Sequence, residues 1–291
     1  MRHTLAICLI LLSSCAFNKV CLHPDKLPKI DKMVLPQNGD TAIMYFTGNE
    51  LQPVIKDTKG DPKIMKYTIE GGFIKSSSGN DIYYWLLRPN DVNPKTTILF
   101  LHGNGGNMLS QFAFVKPFVQ RGYQVLLVDY SGFGFSTGKA TVRNAKRDAN
   151  SALAWLKARP EVKNTKFIVY GQSYGGHLAP VVAQENEQQV DALVTEGAFS
   201  SFKDIAQAQL GFVGRTIIHQ QYSAKKSIKK FHKPVLIIHS TEDKTIPYYM
   251  GKTLFAAANQ PKSFYEIKHE HIRGPLYYAD SIVYKMKALL R

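Results

Sequence analysis

The sequence is poor in cysteine, and its cysteines are confined to one end of the chain. Among 291 residues there are three, Cys8, Cys15 and Cys21. The rest of the chain therefore has neither a disulfide framework nor a cysteine-based metal site, and we expect no metal and no cofactor. Hydrophobic residues make up 44% of the chain, which is ample for a core that needs no cross-links.

The apolar stretch at the N-terminus is too short to span a membrane, since a spanning helix takes about 20 apolar residues. A basic start precedes LAICLILL at 5–12, a pattern typical of an export signal peptide. The sequence LSSC at 12–15 resembles the lipobox of bacterial lipoproteins, whose signal is cut before a cysteine that then carries lipid. This resemblance implies a signal peptide over 1–14, a lipidated Cys15 and a membrane-anchored protein of the cell envelope. An ordinary signal peptide, with a soluble secreted or periplasmic product, is the alternative.

Acidic residues are scarce relative to basic ones, 22 against 37, which gives a formal net charge of +15. Such a balance favours contact with anionic membrane surfaces or with nucleic acid. None of the standard nucleic-acid-binding motifs occurs, so we expect a membrane and no nucleic acid as partner. The basic run KKSIKKFHK at 225–233 has the composition of a solvated helix end or loop.

The chain divides into a tether and one domain. Residues 15–40 contain three prolines and no sustained periodicity, and we predict that they form a tether behind the lipidated cysteine. Residues 41–291 are predicted to form the domain. Its early strands are predicted at 42–46, 64–69 and 81–89, with a hairpin turn at 76–81.

Short apolar runs then alternate with helical stretches. The runs are TILFLHG, YQVLLVDYSG, KFIVYGQS, DALVTEGA and PVLIIHSTED. Continuous apolar runs suit strands buried on both faces, and their alternation with helices predicts an α/β fold with a mostly parallel sheet. Residues 200–232 interrupt the alternation with the predicted helix FKDIAQAQLGFVGRTI. We interpret this insertion as a short lid over the C-terminal edge of the sheet, with a plain crossover helix as the alternative.

One serine follows a predicted strand and stands among glycines, in GQSYGG at 171–176. The spacing matches the G-x-S-x-G elbow, with a strand before Ser173 and a helix after it. In such an elbow the serine backbone is strained, so Gly171 and Gly175 must leave room for neighbouring elements. The pattern predicts that Ser173 is a nucleophile, and a glycine-rich turn with an incidental serine is the alternative.

A second glycine-rich segment, FLHGNGGN at 100–107, ends another predicted strand and opens a helix. Its glycines can turn backbone N–H groups toward a developing oxyanion. We expect an oxyanion hole made by the backbone N–H groups of Asn104 and of Tyr174, the residue after the serine. A phosphate-binding loop is the rival interpretation, but the segment lacks the Lys-Ser/Thr pair of a P-loop and the spacing of the dinucleotide motif.

An acid and a base follow late in the chain, each after a predicted strand. Asp243 follows an apolar run, and Glu242 beside it is the residue with which it could be confused. His269 and His271 follow the last predicted strand. An imidazole titrates at about pH 6.5, so it can take a proton from a serine and return it. The order Ser173, Asp243, His271 is the order of the triad in α/β-hydrolases.

These motifs make the chain resemble the small ABHD-type branch of the α/β-hydrolase serine hydrolases, over roughly residues 60–291. The resemblance is carried by HGNGGN, DYSGFGFSTG, GQSYGG and PVLIIHSTEDKTIP. DYSGFG is family-like and is predicted to be structural, beneath the glycine-rich loop. Members of the family carry the catalytic histidine shortly before a tyrosine of the final helix, and counting back from Tyr277 implies His271. The chain has Glu270 where the family has glycine, so His269 stays a candidate.

The resemblance implies a serine hydrolase that cleaves carboxylic esters or thioesters through a Ser-His-Asp triad and an acyl-enzyme intermediate, and we expect the protein to be a monomer. The segment SYGG also resembles prolyl-oligopeptidase-type peptidases, so a small serine peptidase or amidase is an alternative. Too few residues precede the sheet for the large N-terminal domain of those enzymes. A catalytically silent hydrolase fold, used as an interaction module, is a further alternative. A silent fold would be indicated by the loss of one residue of the triad, and this sequence has all three.

Overall fold

The structure is a computed structural model that describes residues 21–28, 30–35 and 41–291. The expected signal peptide over 1–14 and the lipidated Cys15 lie outside the described residues. Within the described ranges, no helix combines the length and the apolar character needed to cross a bilayer.

The strands of the described residues are β1 (His23–Pro24), β2 (Lys32–Leu35), β3 (Ala42–Thr47), β4 (Gln52–Asp57), β5 (Tyr67–Lys75), β6 (Asp81–Pro89), β7 (Thr96–Leu101), β8 (Gly105–Gly106), β9 (Gln124–Val128), β10 (Lys166–Gln172), β11 (Ala192–Glu196), β12 (Val235–Ser240) and β13 (Lys262–Ile267). The helices are α1 (Met108–Val119), α2 (Val142–Lys157), α3 (Tyr174–Glu185), α4 (Phe202–Ile217), α5 (Ala224–Ile228), α6 (Tyr248–Ala257), α7 (Gly274–Tyr277) and α8 (Ala279–Leu289), with 3-10 turns at Pro160–Val162 and Glu187–Gln189.

Eight strands form the central sheet, in the order β13-β12-β11-β10-β7-β9-β6-β5. The strands from β13 to β9 are parallel, and the antiparallel hairpin of β6 and β5 completes one edge. The prediction of a mostly parallel sheet is confirmed. Gly171 is in register with Leu101 on one side and with Thr195 on the other. The carboxyl ends of these strands therefore meet at one rim, which is where open parallel sheets bind their ligands.

The sheet has a hydrophobic core on each face. On β7, Leu99 and Leu101 are buried in the core that includes side chains of α2 and α3, whereas Ile98 and Phe100 are buried in the core that includes side chains of α1 and α8. Burial on both faces removes the polar alternation of a half-exposed strand. This explains why the parallel strands read as continuous apolar runs in the sequence.

The segment predicted to be a tether is docked on the domain over its described residues. Leu22 is buried in the core, and β1 pairs in parallel with β8, in the glycine-rich loop. The backbone N–H of His23 donates to the carbonyl oxygen of Asn104 at 2.7 Å. Farther along, β2, β3 and β4 form a separate antiparallel sheet. The structure therefore differs from the tether prediction here, because backbone pairing with distant strands orders a segment that has no periodicity of its own.

Two of the three early strands have nearly the bounds that the local sequence predicts, and the third does not. The strands predicted at 42–46 and 81–89 are confirmed as β3 and β6. The strand predicted at 64–69 begins later, at Tyr67, because its pairing with β6 runs from Tyr67 opposite Pro89 to Lys75 opposite Asp81. The partner strand, rather than the local sequence, sets the bounds of β5.

Candidate active site

Ser173 stands at the rim of the central sheet, between the last residue of β10 and the first residue of α3. Its backbone has φ 54° and ψ −117°, a conformation that costs a residue with a side chain about 1–3 kcal/mol. The carbonyl oxygen of Glu196, on the neighbouring strand, accepts the Ser173 N–H at 2.9 Å. Such strain persists only where the surroundings impose it, and here a sharp strand-to-helix turn does so.

The glycines around the serine are required by close backbone approach. A Cβ added at Gly171 would lie 2.1 Å from the carbonyl oxygen of Gly175, and one added at Gly175 would lie 2.0 Å from the carbonyl oxygen of Leu101. Both distances are far inside van der Waals contact, and the atoms met belong to the backbone, which cannot move aside cheaply. The G-x-S-x-G spacing is therefore a steric requirement of this turn.

His271 is paired with Asp243. Nδ1 of the imidazole lies 2.6 Å from Oδ2 of the carboxylate. The other carboxylate oxygen accepts the backbone N–H groups of Thr245 and Ile246 at 2.9 and 2.8 Å. Asp243 follows β12 and His271 follows β13, which are neighbouring strands of the sheet. Because these strands are adjacent and parallel, the acid and the base lie side by side at the carboxyl-terminal rim of the sheet.

Burial and hydrogen bonding act in opposite directions on the Asp243 carboxyl. Burial favours the protonated form, but the hydrogen bond and charge of His271, together with the Ile246 N–H, outweigh it and hold the pKa of Asp243 below its ordinary value. An ionised carboxylate keeps the proton of His271 on Nδ1 and leaves Nε2 as an acceptor. The pair is therefore set up so that His271 can receive a proton at Nε2.

His271 also lies against the turn that carries Ser173. A Cβ added at Gly197 would lie 2.9 Å from Cε1 of His271, and Gly197 directly follows the residue whose carbonyl holds the Ser173 N–H. Nε2 of His271 is buried and has no hydrogen-bond partner among the described residues. The structure thus brings Ser173, Asp243 and His271 to one rim and leaves the basic ring nitrogen unpaired there.

The two alternative residues are engaged elsewhere. The carboxylate of Glu242 accepts the backbone N–H of His269 at 3.0 Å. The ring of His269 stacks on Tyr277, with centroids 3.9 Å apart and planes inclined by 9°. Neither side chain takes part in the contact between Asp243 and His271. In the part of the chain that the structure describes, no group of His, Cys, Asp and Glu is arranged to hold a metal ion.

The glycine-rich loop approaches the serine from the neighbouring strand. A Cβ added at Gly103 would lie 3.5 Å from Cβ of Ser173, and Asn104 and Tyr174 line the same cavity as the serine. Tyr174 is the first residue of α3, so its backbone N–H has no acceptor within the helix. The carbonyl of Asn104 is fixed by the His23 N–H. The two residues predicted to form an oxyanion hole are therefore both at the serine.

The segment DYSGFG lies beneath that loop and holds it in place. Oδ1 of the buried Asp129 accepts the N–H of Met108, the first residue of α1, at 2.7 Å. The hydroxyl of Tyr130 donates to the carbonyl oxygen of His102 at 3.1 Å. Burial raises the pKa of Asp129 to about 8, as expected for a carboxyl enclosed in the core. These contacts give the segment a structural role.

A cavity of about 120 Å³ contains the serine. Its apolar wall is made largely by α4 and the residues next to it, namely Phe199, Phe202, Ile205, Ala206, Leu210 and Ile218. The helix predicted within the insertion at 200–232 is therefore α4, and it walls the cavity at the C-terminal edge of the sheet. Cys21 lines the cavity as well. Burial raises the pKa of its thiol to about 12, so Cys21 is neutral and contributes apolar surface rather than a nucleophile.

Glu196 belongs to the site although the sequence patterns do not single it out. It ends β11 and is buried, and its carboxyl accepts the Tyr170 hydroxyl at 2.6 Å, the Gln172 amide at 2.8 Å and the Gly274 N–H at 2.7 Å. Burial raises its pKa, although these donors oppose the shift. The one signal in the sequence is an acidic side chain at the end of an otherwise apolar run.

Solved structures share this fold. The esterase Pf2001 of Pyrococcus furiosus superposes with a TM-score of 0.63 at 15% identity, over 77% of this chain and 90% of the esterase. Acetyl xylan esterase 1 of Thermoanaerobacterium superposes with a TM-score of 0.62 at 17% identity, over 78% of this chain and 84% of that one. These likenesses, together with the sheet order and the serine elbow, define the class as the alpha/beta hydrolase fold.

Sequence comparisons give the family. A sequence profile for the alpha/beta hydrolase fold matches residues 96–216. The chain is 30% identical over 207 residues to the Escherichia coli O157:H7 protein YfhR, which covers 70% of this chain and 69% of YfhR. It is 31% identical over 200 residues to human alpha/beta hydrolase domain-containing protein 17B, covering 67% of this chain and 66% of the human protein. The chain belongs to the ABHD-type branch of the alpha/beta hydrolase family.

Proposed function

We propose that the protein is a serine hydrolase that cleaves carboxylic esters or thioesters. The observation that carries the proposal is the contact of His271 with Asp243 against the turn that bears the strained Ser173. Two solved structures of the same fold are named esterases, which supports acyl transfer as the chemistry. The apolar cavity at the serine suits an acyl group.

In the first half of the reaction the hydroxyl oxygen of Ser173 attacks the acyl carbon, and its proton passes to Nε2 of His271. Asp243 holds the Nδ1 proton and stabilises the imidazolium. The substrate carbonyl becomes an oxyanion, to which the backbone N–H groups of Asn104 and Tyr174 donate. The bond to the leaving group then breaks. The alcohol or thiol takes the proton from His271 and leaves an acyl ester on Ser173.

Water completes the cycle. His271 takes a proton from the water as its oxygen attacks the acyl-enzyme, and the same two N–H groups stabilise the second oxyanion. The acid departs, and the proton returns to the Ser173 oxygen. The reaction balances with one water consumed for each ester or thioester cleaved. Esters and thioesters differ only in the leaving group, so both are compatible with the same residues.

A fluorophosphonate probe, which phosphonylates activated serines, tests the nucleophile. We expect wild type to be labelled and Ser173→Ala to resist labelling. Ser281→Ala, at an exposed position on α8, is the matched control and should label like wild type. If wild type reacts no faster than Ser173→Ala, the proposal is wrong and a silent hydrolase fold is favoured. An ester, a thioester and an amide of one acyl group then separate the esterase from a peptidase or amidase.

We also propose that a lipid on Cys15 anchors the protein in the cell envelope. This proposal rests on the sequence LSSC at 12–15. Cell fractionation with a high-salt wash tests it, because the wash removes proteins held by charge alone. We expect wild type to stay in the washed membrane fraction and Cys15→Ser to be released. Equal retention of the two proteins would contradict the anchor.

A further inference from the structure

The helix α4 breaks near its middle and folds back on itself. Gly211 has φ 68° and ψ −159°, a backbone conformation essentially restricted to glycine. After the break, a Cβ added at Gly214 would lie 2.3 Å from the carbonyl oxygen of Ala206. Arg215 joins the two halves through an ion pair with Asp204 at 2.7 Å. We call residues 202–217 the lid hairpin and residues 210–213 its apex.

The apex presents three large apolar side chains to solvent. Leu210, Phe212 and Val213 are 61%, 74% and 65% exposed. At the base of the same hairpin Phe202 is buried, so exposure is a property of the apex and not of the whole helix. Contiguous exposed apolar side chains mark a surface that binds something, because their burial in a partner is favourable.

The base of the lid hairpin borders a basic groove. Lys203, Lys225, Lys226 and Lys229 line a cavity of about 450 Å³ between the hairpin and the start of α5. Within residues 41–291, no carboxylate forms a described ion pair with any of these four lysines, whereas Arg215 is paired with Asp204. The groove therefore carries four positive charges that the described protein does not neutralise.

We propose that the lid hairpin docks on the surface of an anionic phospholipid bilayer. The apex enters the boundary between headgroups and acyl chains, and the lysines of the groove contact lipid phosphates. Apolar side chains beside a lysine-rich zone are the composition of elements that lie in a membrane interface. Each lysine close to an anionic surface strengthens binding about fivefold. The docking does not depend on the reactivity of Ser173.

The proposed surface leads to the candidate active site. Leu210 belongs to the apex and also lines the cavity that contains Ser173. An acyl chain can therefore pass from the docked bilayer surface along Leu210 into the cavity.

Charge favours a bilayer over a second copy of the chain as the occupant. Pairing two copies through this face would bring two lysine-lined grooves together, on chains that each carry a formal net charge of +15. Like charges so arranged repel. An anionic bilayer offers both the complementary charge and an apolar layer for the apex.

Tryptophan fluorescence of the full-length protein carrying Cys15→Ser tests the docking, because a lipid on Cys15 would bind vesicles whatever their charge. In Phe212→Trp the new indole reports the surroundings of the apex. The native Trp85, which is buried, and Trp155, which is half-buried, contribute the same background emission to this variant and to its control. Tyr284→Trp is the matched control, at a position on α8 that is 72% exposed. We expect vesicles of phosphatidylcholine with phosphatidylglycerol to shift the Phe212→Trp emission to the blue and brominated acyl chains to quench it. Pure phosphatidylcholine should do neither, and the Tyr284→Trp emission should not change.

A second protein tests the lysines. Replacing the four lysines of the groove by glutamine in Phe212→Trp should raise the anionic lipid concentration needed for the half-maximal blue shift by up to about fivefold per charge removed, with the thermal midpoint unchanged. An apex that stays water-exposed on anionic vesicles overturns the proposal, as does an equal shift in Tyr284→Trp. A shift that grows with protein concentration in the absence of lipid would overturn it in favour of self-association.

Discussion

Glu196 Oε1 accepts the backbone N–H of Gly274 at 2.7 Å, three residues after His271. Its other oxygen accepts the Tyr170 hydroxyl and the Gln172 amide. The Gln172 amide also donates to the carbonyl oxygen of Ile272 at 3.2 Å. The ends of β10 and β11 are thereby tied to the loop that carries the candidate base, so the buried carboxyl positions His271 without contacting it through a described hydrogen bond.

Glu196→Ala is expected to lower the free energy of unfolding by about 2 kcal/mol or more. The Tyr170 hydroxyl and the Gly274 N–H lose their acceptor, and each buried unsatisfied group costs about 1–3 kcal/mol. Urea unfolding measures the change. The control is Glu270→Ala, since the Glu270 side chain is 83% exposed and its loss should leave stability unchanged. Equal stability of the two variants would show that the Glu196 contacts contribute nothing.

Asp243→Asn is expected to remove a pH-dependent part of the stability. The folded pKa of this carboxyl lies below its ordinary value, so ionised Asp243 stabilises the fold above the unfolded pKa of about 3.9, and that contribution is lost as the pH falls through the folded pKa. Wild type should therefore have the larger free energy of unfolding near neutral pH, and the difference between the two proteins should decrease as the pH falls. Urea unfolding of both proteins over a pH series measures it; a difference that widens in acid is the contrary result.

The two histidines are expected to differ sharply in their effect on turnover. His271→Ala removes the ring that contacts Asp243 and should lower kcat about 10⁴-fold or more, as losses of a triad member do. His269→Ala removes a ring stacked on Tyr277 and should leave kcat within about tenfold. Hydrolysis of a short p-nitrophenyl ester measures both. The reverse pattern would identify His269 as the base.

Ala206→Leu is expected to shorten the acyl chains that the protein accepts. Ala206 lines the cavity of about 120 Å³ at the serine, and a difference of one methylene in an apolar pocket changes kcat/KM about 10–200-fold. The kcat/KM ratio of long to short acyl esters should therefore fall at least about tenfold. Ala208→Leu, at an exposed position on the same helix, should not change the ratio. A fall in both variants would mean that the effect does not come from the cavity.

Local physics explains what the sequence predicts well. Strands buried on both faces read as apolar runs, so the parallel strands can be recognised one by one. The serine elbow is also local, because the strand, the strained Ser173 and its small neighbours Gly171 and Gly175 are contiguous in the chain. The helix α4 has the predicted bounds because its amphipathic pattern spans the same residues. Its break at Gly211 does not show in that pattern, since a lone glycine is tolerated inside many helices.

Contacts between distant segments explain the rest. Strand β1 has two residues and pairs with a two-residue strand about 80 positions away, so neither carries a recognisable strand pattern. β4 contains Pro53 and pairs with β3 alone, an edge position that tolerates proline but reads as a loop. The choice between His269 and His271 depends on which ring meets Asp243, and the importance of Glu196 depends on donors from three separate places in the chain.

The role of Ser173 as nucleophile is tested most directly by finding which residue holds the acyl group during turnover. Wild type and Ser173→Ala are mixed with a short p-nitrophenyl ester, quenched in acid within the first turnovers and digested for peptide mass analysis. We expect an added acyl mass on the peptide that contains Ser173 in wild type, and none in Ser173→Ala. An acyl group on another residue, or equal ester hydrolysis by Ser173→Ala, would contradict it.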